Sequence, residues 1–261
     1  MIIHGNEIEL YRYFIYISYL GTNYRGWQVQ PGKPTVQRVV ENALSVILQE
    51  SIAVTGAGRT DTGVHAANFV AHFDSRKDDL ATRQNILFRL NRFLPADIAA
   101  ERIISVKPDS HARFDALSRA YEYTISIKKD PFLTGRAWMR HGTLDIEKMN
   151  QACTCMMEYR DFTSFSKLHT DVKTNNCVIS EAGWRREKSL LIFRITADRF
   201  LRNMVRAITG TMVDIGSGLM EPEDIRAIIE AKDRSKAGKS AVADGLVLKS
   251  IEYPESLFTA H

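Results

Sequence analysis

Gly58-Arg59-Thr60-Asp61-Thr62-Gly63-Val64-His65 places a guanidinium, a carboxylate and an imidazole within eight residues, with Gly56 just ahead. Glycines let a backbone approach a ligand closely, and arginine pairs with phosphate or carboxylate. A solvated turn has a similar composition, so rival readings must be weighed. Gly56-x-Gly58 lacks the third glycine, the Lys-Ser/Thr and the following helix of a nucleotide loop. Asp61-Thr62-Gly63 is also the aspartic-protease triplet, but that chemistry needs two carboxylates sharing one proton. Only one triplet is present, Arg59 and Thr60 are polar where that site has apolar strand residues, and the helical segments described below disagree with an all-β protease.

Outward from this loop, strands and helices alternate. Arg12 to Leu20 alternates as a strand. After Pro34, the residues Val36, Val39, Val40, Ala43, Leu44 and Ile47 recur at helical spacing. Ile52 to Thr55 reads as a short strand, Ala67 to Phe73 as a strand, Thr82 to Leu94 as a helix stopped by Pro95, and Ile98 to Val106 as a strand. In the second half, Tyr121 to Ile127 alternates as a strand and Asp145 starts a helix through Met157. Val178 to Trp184 and Leu190 to Ala197 form a hairpin around Glu187-Lys188-Ser189. Leu201 to Ile215 is a helix ending at Gly216, Pro222 opens a short helix to Lys232, and Leu246 to Tyr253 is a last strand. The expectation is an α+β fold: two similar α/β halves, 1–110 carrying the Asp61 loop and 111–261 completing the cleft. The hairpin favours a mixed, largely antiparallel sheet flanked by helices.

Composition narrows the function classes. The chain has 261 residues, 44% hydrophobic and 25% charged, which is ordinary for a globular protein. The formal net charge of +4 permits a polyanionic partner without requiring one. The three cysteines, Cys153, Cys155 and Cys177, lack the count and spacing of a zinc site, even with His169 nearby. Free thiols in a reducing cytoplasm are expected. Met1 to Tyr13 has no basic-then-apolar leader, and no run approaches transmembrane length, so a cytoplasmic protein away from the membrane is expected.

The longer string Gly-Arg-Thr-Asp-x-Gly-Val-His resembles the signature of the TruA-type family of tRNA pseudouridine synthases. Further segments match in the same order: Tyr24-x-Gly26-Trp27-Gln28-x-Gln30; His111-Ala112-Arg113-Phe114 followed by Arg119-x-Tyr121-x-Tyr123; Asp161-Phe162-Thr163-Ser164-Phe165; Phe200-Leu201-x-x-Met204-Val205-Arg206; and Gly245-Leu246. The match runs from about Tyr13 to Tyr253. Leu20 departs from a common aspartate, and Leu168 to Val178, where the family often carries a cysteine and an arginine, has Lys173, Asn175, Asn176 and Cys177 but no arginine.

The resemblance implies a pseudouridine synthase fold and isomerisation of uridine to pseudouridine in the tRNA anticodon stem-loop, at positions 38, 39 and 40. Such an isomerisation needs neither cofactor nor metal. Asp61 would be the nucleophile, since a carboxylate suits attack on an electron-poor C1′. Tyr121 would stack on the target base and is a candidate for removing the C5 proton. Arg206 would pair with Asp61 and keep it ionised. Leu246 would line the uracil pocket, Arg59 would support the flipped-out nucleotide, and His65 would fix the loop or touch substrate. Arg199, Arg202 and Arg206, three and four apart, would make one basic stripe facing RNA phosphates. Arg25, Arg76, Lys77, Arg83, Arg113 and Arg119 are further tRNA-contact candidates. A homodimer reading one tRNA is also implied. The rival class is a non-catalytic RNA-binding module of the same fold.

Overall fold

Five residues in a row, Tyr13 to Ile17, are buried, so the first strand has core on both faces rather than the one-sided burial its alternation suggests. That strand, β1 (Tyr11–Tyr19), pairs antiparallel with β3 (His65–Ser75) on one side and β4 (Ile98–Ser105) on the other. The computed structural model describes residues 9–167 and 174–259. Glu7, His169 and Lys173, with much of the divergent Leu168 to Val178 stretch, lie outside them.

The remaining elements are α1 (Val36–Leu48), β2 (Thr55–Gly56), α2 (Ile86–Phe93), β5 (Ser118–Ser126), β6 (Trp138–Met139), α3 (Ile146–Met156), β7 (Ile179–Glu187), β8 (Leu190–Ala197), α4 (Met204–Gly216), α5 (Asp224–Glu230) and β9 (Leu246–Glu252). One nine-stranded sheet runs β4-β1-β3-β9-β5-β8-β7, with β2 attached to β3 and β6 to β5. Among the described residues six of its pairings are antiparallel, and only β3–β9 and β5–β6 are parallel. The expected α+β class and mixed, largely antiparallel sheet are therefore observed.

Three expected boundaries shift for identifiable reasons. Ile52 to Val54 is not strand, because side chains of α1 satisfy its backbone. Ile52 N–H donates to Ser45 Oγ at 3.0 Å, Val54 N–H to Glu41 Oε1 at 3.1 Å, and Gln37 Nε2 to the Val54 carbonyl at 3.0 Å. α2 starts at Ile86 rather than Thr82, because Thr82 and Arg83 turn back onto the Asp79 carbonyl and Asn85 is left-handed at φ 69°. α4 starts at Met204 rather than Leu201, since Asn203 is left-handed at φ 65° and its side-chain amide is tied to Ser240. The start of α3 is as expected, with the Asp145 carboxylate accepting the Lys148 N–H at 3.1 Å.

Two hydrophobic clusters lie along the sheet, and β9 joins them. Leu248 and Ile251 pack into the first cluster, built mainly from residues before 113, while Leu246 packs into the second. Val64 reaches from the first half into the second cluster. In the sheet, β4-β1-β3 come from residues before 110 and β9-β5-β8-β7 from residues after it, and the β3–β9 pairing joins the two blocks. The three cysteines are unpaired, with Cys153 and Cys177 buried. Among the described residues no helix is long and apolar enough to cross a membrane.

Candidate active site

The Asp61 loop runs from β2 into β3 and is held mainly by backbone bonds. Trp27 N–H donates to the Thr60 carbonyl at 3.1 Å, Gly63 N–H to Tyr24 at 3.4 Å, and Val64 N–H to Asp61 at 3.1 Å. Thr60 is buried and its hydroxyl shares a 2.9 Å bond with the Tyr19 hydroxyl. Beneath it, Trp27 stacks on Phe69 with ring centroids 4.1 Å apart. The Tyr24-x-Gly26-Trp27 segment is thus the brace of the Asp61 loop. Gly26 has φ +86°, and a Cβ there would lie 2.4 Å from the Thr60 carbonyl oxygen. Only glycine allows both that dihedral and that approach.

The Asp61 carboxylate stays 28% exposed, and its two oxygens face different arginines. Arg202 Nε lies 3.7 Å from Oδ1 and Arg206 Nη1 lies 3.8 Å from Oδ2. These are ion pairs too long to be hydrogen bonds. Arg206 projects from the first turn of α4 and is anchored by its Nε–H, which donates to the Ala241 carbonyl at 2.8 Å. Arg202 precedes α4, so the expected helical stripe does not exist. The turn at 201–203 nonetheless delivers Arg202 to the same carboxylate, while Arg199 donates its backbone N–H to Asp198.

Tyr121 sits on β5 where the two hydrophobic clusters meet and packs against both. It pairs across the sheet with Leu248, and Tyr123 pairs with Leu246, so these four side chains share one sheet face. Phe200 meets the Tyr121 ring edge-to-face at 5.2 Å. Burial pushes the Tyr121 phenol up to about 12, with Arg119 opposing and Asp61 adding to the rise. A phenol in that range keeps its proton at neutral pH, which suits holding a base by its face better than acting as a resting base.

Leu246 is buried as the first residue of β9, its N–H bonded to the Ala243 carbonyl at 2.9 Å. Arg59 is exposed beside the loop. His65 is surrounded by backbone groups that it ties together. It is 2% exposed; its Nδ1 accepts the Gly21 N–H at 2.9 Å, and its Nε2–H then donates to the Asp244 carbonyl at 3.1 Å. Burial lowers its pKa, so the ring is neutral and both nitrogens are spent.

The other cations expected to meet tRNA differ in how free they are. Arg76 and Lys77 follow the far end of β3, which spans roughly 35 Å over its eleven residues. Lys77 and Arg83 pair with Glu50 and Asp79 at 3.1 and 3.0 Å. Arg25 and Arg113 are exposed. Arg119 is not a free cation, because its terminal nitrogens are bonded to backbone carbonyls. Sequence reading also missed Tyr19 and Ala241, which touch the site through a hydroxyl and a carbonyl and carry no charge to betray them.

Comparison with known proteins gives a consistent answer. A family model described as tRNA pseudouridine synthase matches residues 15–115 and 159–254. A Parabacteroides distasonis protein named "tRNA pseudouridine synthase A" is 51% identical over 247 residues, covering 95% of this chain and 98% of its own. A Porphyromonas gingivalis protein of the same name is 52% identical over 249 residues, covering 95% and 99%. One from Francisella tularensis is 38% identical over 249 residues, covering 94% and 95%.

Proposed function

The chain belongs to the tRNA pseudouridine synthase family and is an isomerase acting on tRNA; from that premise we propose that it modifies uridines 38, 39 and 40 of the anticodon stem-loop with Asp61 as nucleophile. The observation that carries this reading is the partly exposed Asp61 carboxylate set between two arginines, with the half-buried Tyr121 close enough for the carboxylate's charge to be felt.

The chemistry breaks the C1′–N1 bond, turns the uracil, joins C1′ to C5, and exchanges the C5 proton for one on N1. Asp61 attacks the electron-poor C1′. Tyr121 holds the detached base against its ring; because the phenol is neutral, it adds no second negative charge beside Asp61. Leu246, on the same sheet face, lines the apolar side of the uracil pocket and helps exclude the water that would turn isomerisation into hydrolysis. Arg206 stabilises the Asp61 carboxylate. Arg202 and Arg59 hold the extruded nucleotide, whose removal from its stack costs a few kcal/mol. Two copies of the chain reading one tRNA belong to the same proposal.

The test is release of tritium from tRNA carrying C5-tritiated uridine, comparing wild type with Asp61→Asn. Release by wild type alone, with both proteins binding tRNA, is the expected outcome. No release from any tRNA, despite intact binding, would leave a non-catalytic RNA-binding module. Equal release by both proteins would remove Asp61 from the nucleophile's role.

A further inference from the structure

Arg119 leaves the second residue of β5 and ends entirely on backbone oxygens. Its Nη1 donates to the Ala116 and Asp198 carbonyls at 3.0 and 2.7 Å. Its Nη2 donates to the Arg113 and Ala57 carbonyls at 2.6 and 3.3 Å. These four bonds use every hydrogen on the two terminal nitrogens. An arginine that grips phosphate presents that fork to its ligand; here the fork is spent inside the protein.

The four acceptors belong to three segments that converge on the Arg119 guanidinium. Ala57 lies on the approach to Asp61. Asp198 opens the turn that leads through Arg202 to Arg206. Arg113 and Ala116 bound the turn that exposes Phe114, which is 73% accessible. The Ala57 and Asp198 contacts bridge 62 and 79 residues of sequence, so no local interaction could replace them. Neutral carbonyls do not repay the burial of a cation as a carboxylate would, and burial lowers the Arg119 pKa accordingly. The same charge opposes the effect of burial on Tyr121, two residues along β5.

We propose that Arg119 is a positioning residue for catalysis: it locks the Asp61 loop, the Arg202 turn and the Arg113–Phe114 turn into one arrangement, so that carboxylate and arginines meet in reactive geometry. The inference rests on the pseudouridine synthase reading. Lysine cannot take this role, because three donors on one nitrogen do not span four carbonyls on three segments.

The experiment measures single-turnover tritium release at saturating enzyme for wild type, Arg119→Lys and Arg119→Ala. It is run alongside tRNA Kd and thermal melting, with and without methylguanidinium. The expected result is a folded Arg119→Lys protein whose tRNA Kd stays within about threefold of wild type while its rate falls on the order of 100-fold, the scale of a small misplacement of reacting groups. Methylguanidinium should restore part of the rate of Arg119→Ala, and if that variant does not fold, Arg119→Lys carries the test. A wild-type rate per folded molecule in Arg119→Lys would overturn the proposal. So would a loss confined to Kd, which would make Arg119 an RNA contact. No release by wild type would instead overturn the functional reading beneath it.

Discussion

Two arginines reach Asp61, and their surroundings predict different work for them. Arg206 is 22% exposed and pinned by the Ala241 carbonyl, so its charge is fixed before substrate arrives. Arg202 is 56% exposed at a similar distance, so solvent screens it and its side chain remains free to meet phosphate. Arg206→Ala should lower the single-turnover rate on the order of 100-fold, as loss of a preorganised charge at a reacting centre does, with a smaller change in tRNA Kd. Arg202→Ala should instead raise Kd and flatten its dependence on log salt by about one phosphate contact. Rate and salt-dependent binding measured on both variants would check this, and the reverse pattern would exchange the assignments. Asp61 and Arg206 were legible as members of contiguous motifs. The buried position of His65 was not, because a histidine two residues past a reactive loop looks the same in sequence whether it faces substrate or backbone.

At the scale of elements, the site is made by loops that brace one another. A Cβ at Gly26 would collide with the backbone of Thr60 and Asp61, and Gly26 holds a dihedral that other residues rarely adopt. Gly26→Ala should push the Asp61 loop away and cost activity well beyond its cost in stability, measured as rate per folded molecule against urea midpoint. A variant fully active when folded would show that the loop's placement is not set by this contact. The same scale explains the boundary errors. Periodicity located α1 and the hairpin β7–β8, because their hydrophobic spacing and turn are local. It overran the starts of α2 and α4 because Asn85 and Asn203 take left-handed conformations that no pattern of apolar residues signals. It drew a strand at Ile52 to Val54 because apolar residues there are buried, whereas their hydrogen bonds go to Ser45, Glu41 and Gln37.

At the scale of the molecule, the connection between the halves carries a pH dependence. His72 on β3 is buried, its Nδ1 accepts the Ala112 N–H at 3.1 Å, and its ring meets His111 at 4.6 Å. Burial, then the positive influence of His111 and Arg12, pushes its pKa down to about 4, with Asp74 and Asp115 opposing. In the unfolded chain the imidazole titrates near about 6.5. Between those values the unfolded state binds more protons. Stability should therefore be unaffected by this group above about 6.5 and fall as pH drops from there toward about 4. Urea unfolding at stepped pH should show a shallower loss in His72→Gln than in wild type across that window. Identical slopes would remove His72 as the cause.

The amino-acid sequence by itself determined the family and the alternation of strands and helices, because each is written in neighbouring residues: a motif, a spacing, a turn. Tertiary structure alone decided that β9 lies between β3 and β5, so that the last strand knits both hydrophobic clusters. It alone brought Arg202 to Asp61 and closed Arg119 on four carbonyls. The physical reason is that every residue offers the same backbone carbonyl, so a sequence cannot say which of them a distant guanidinium will find. Likewise a parallel strand partner is chosen by the path of the whole chain rather than by any local preference.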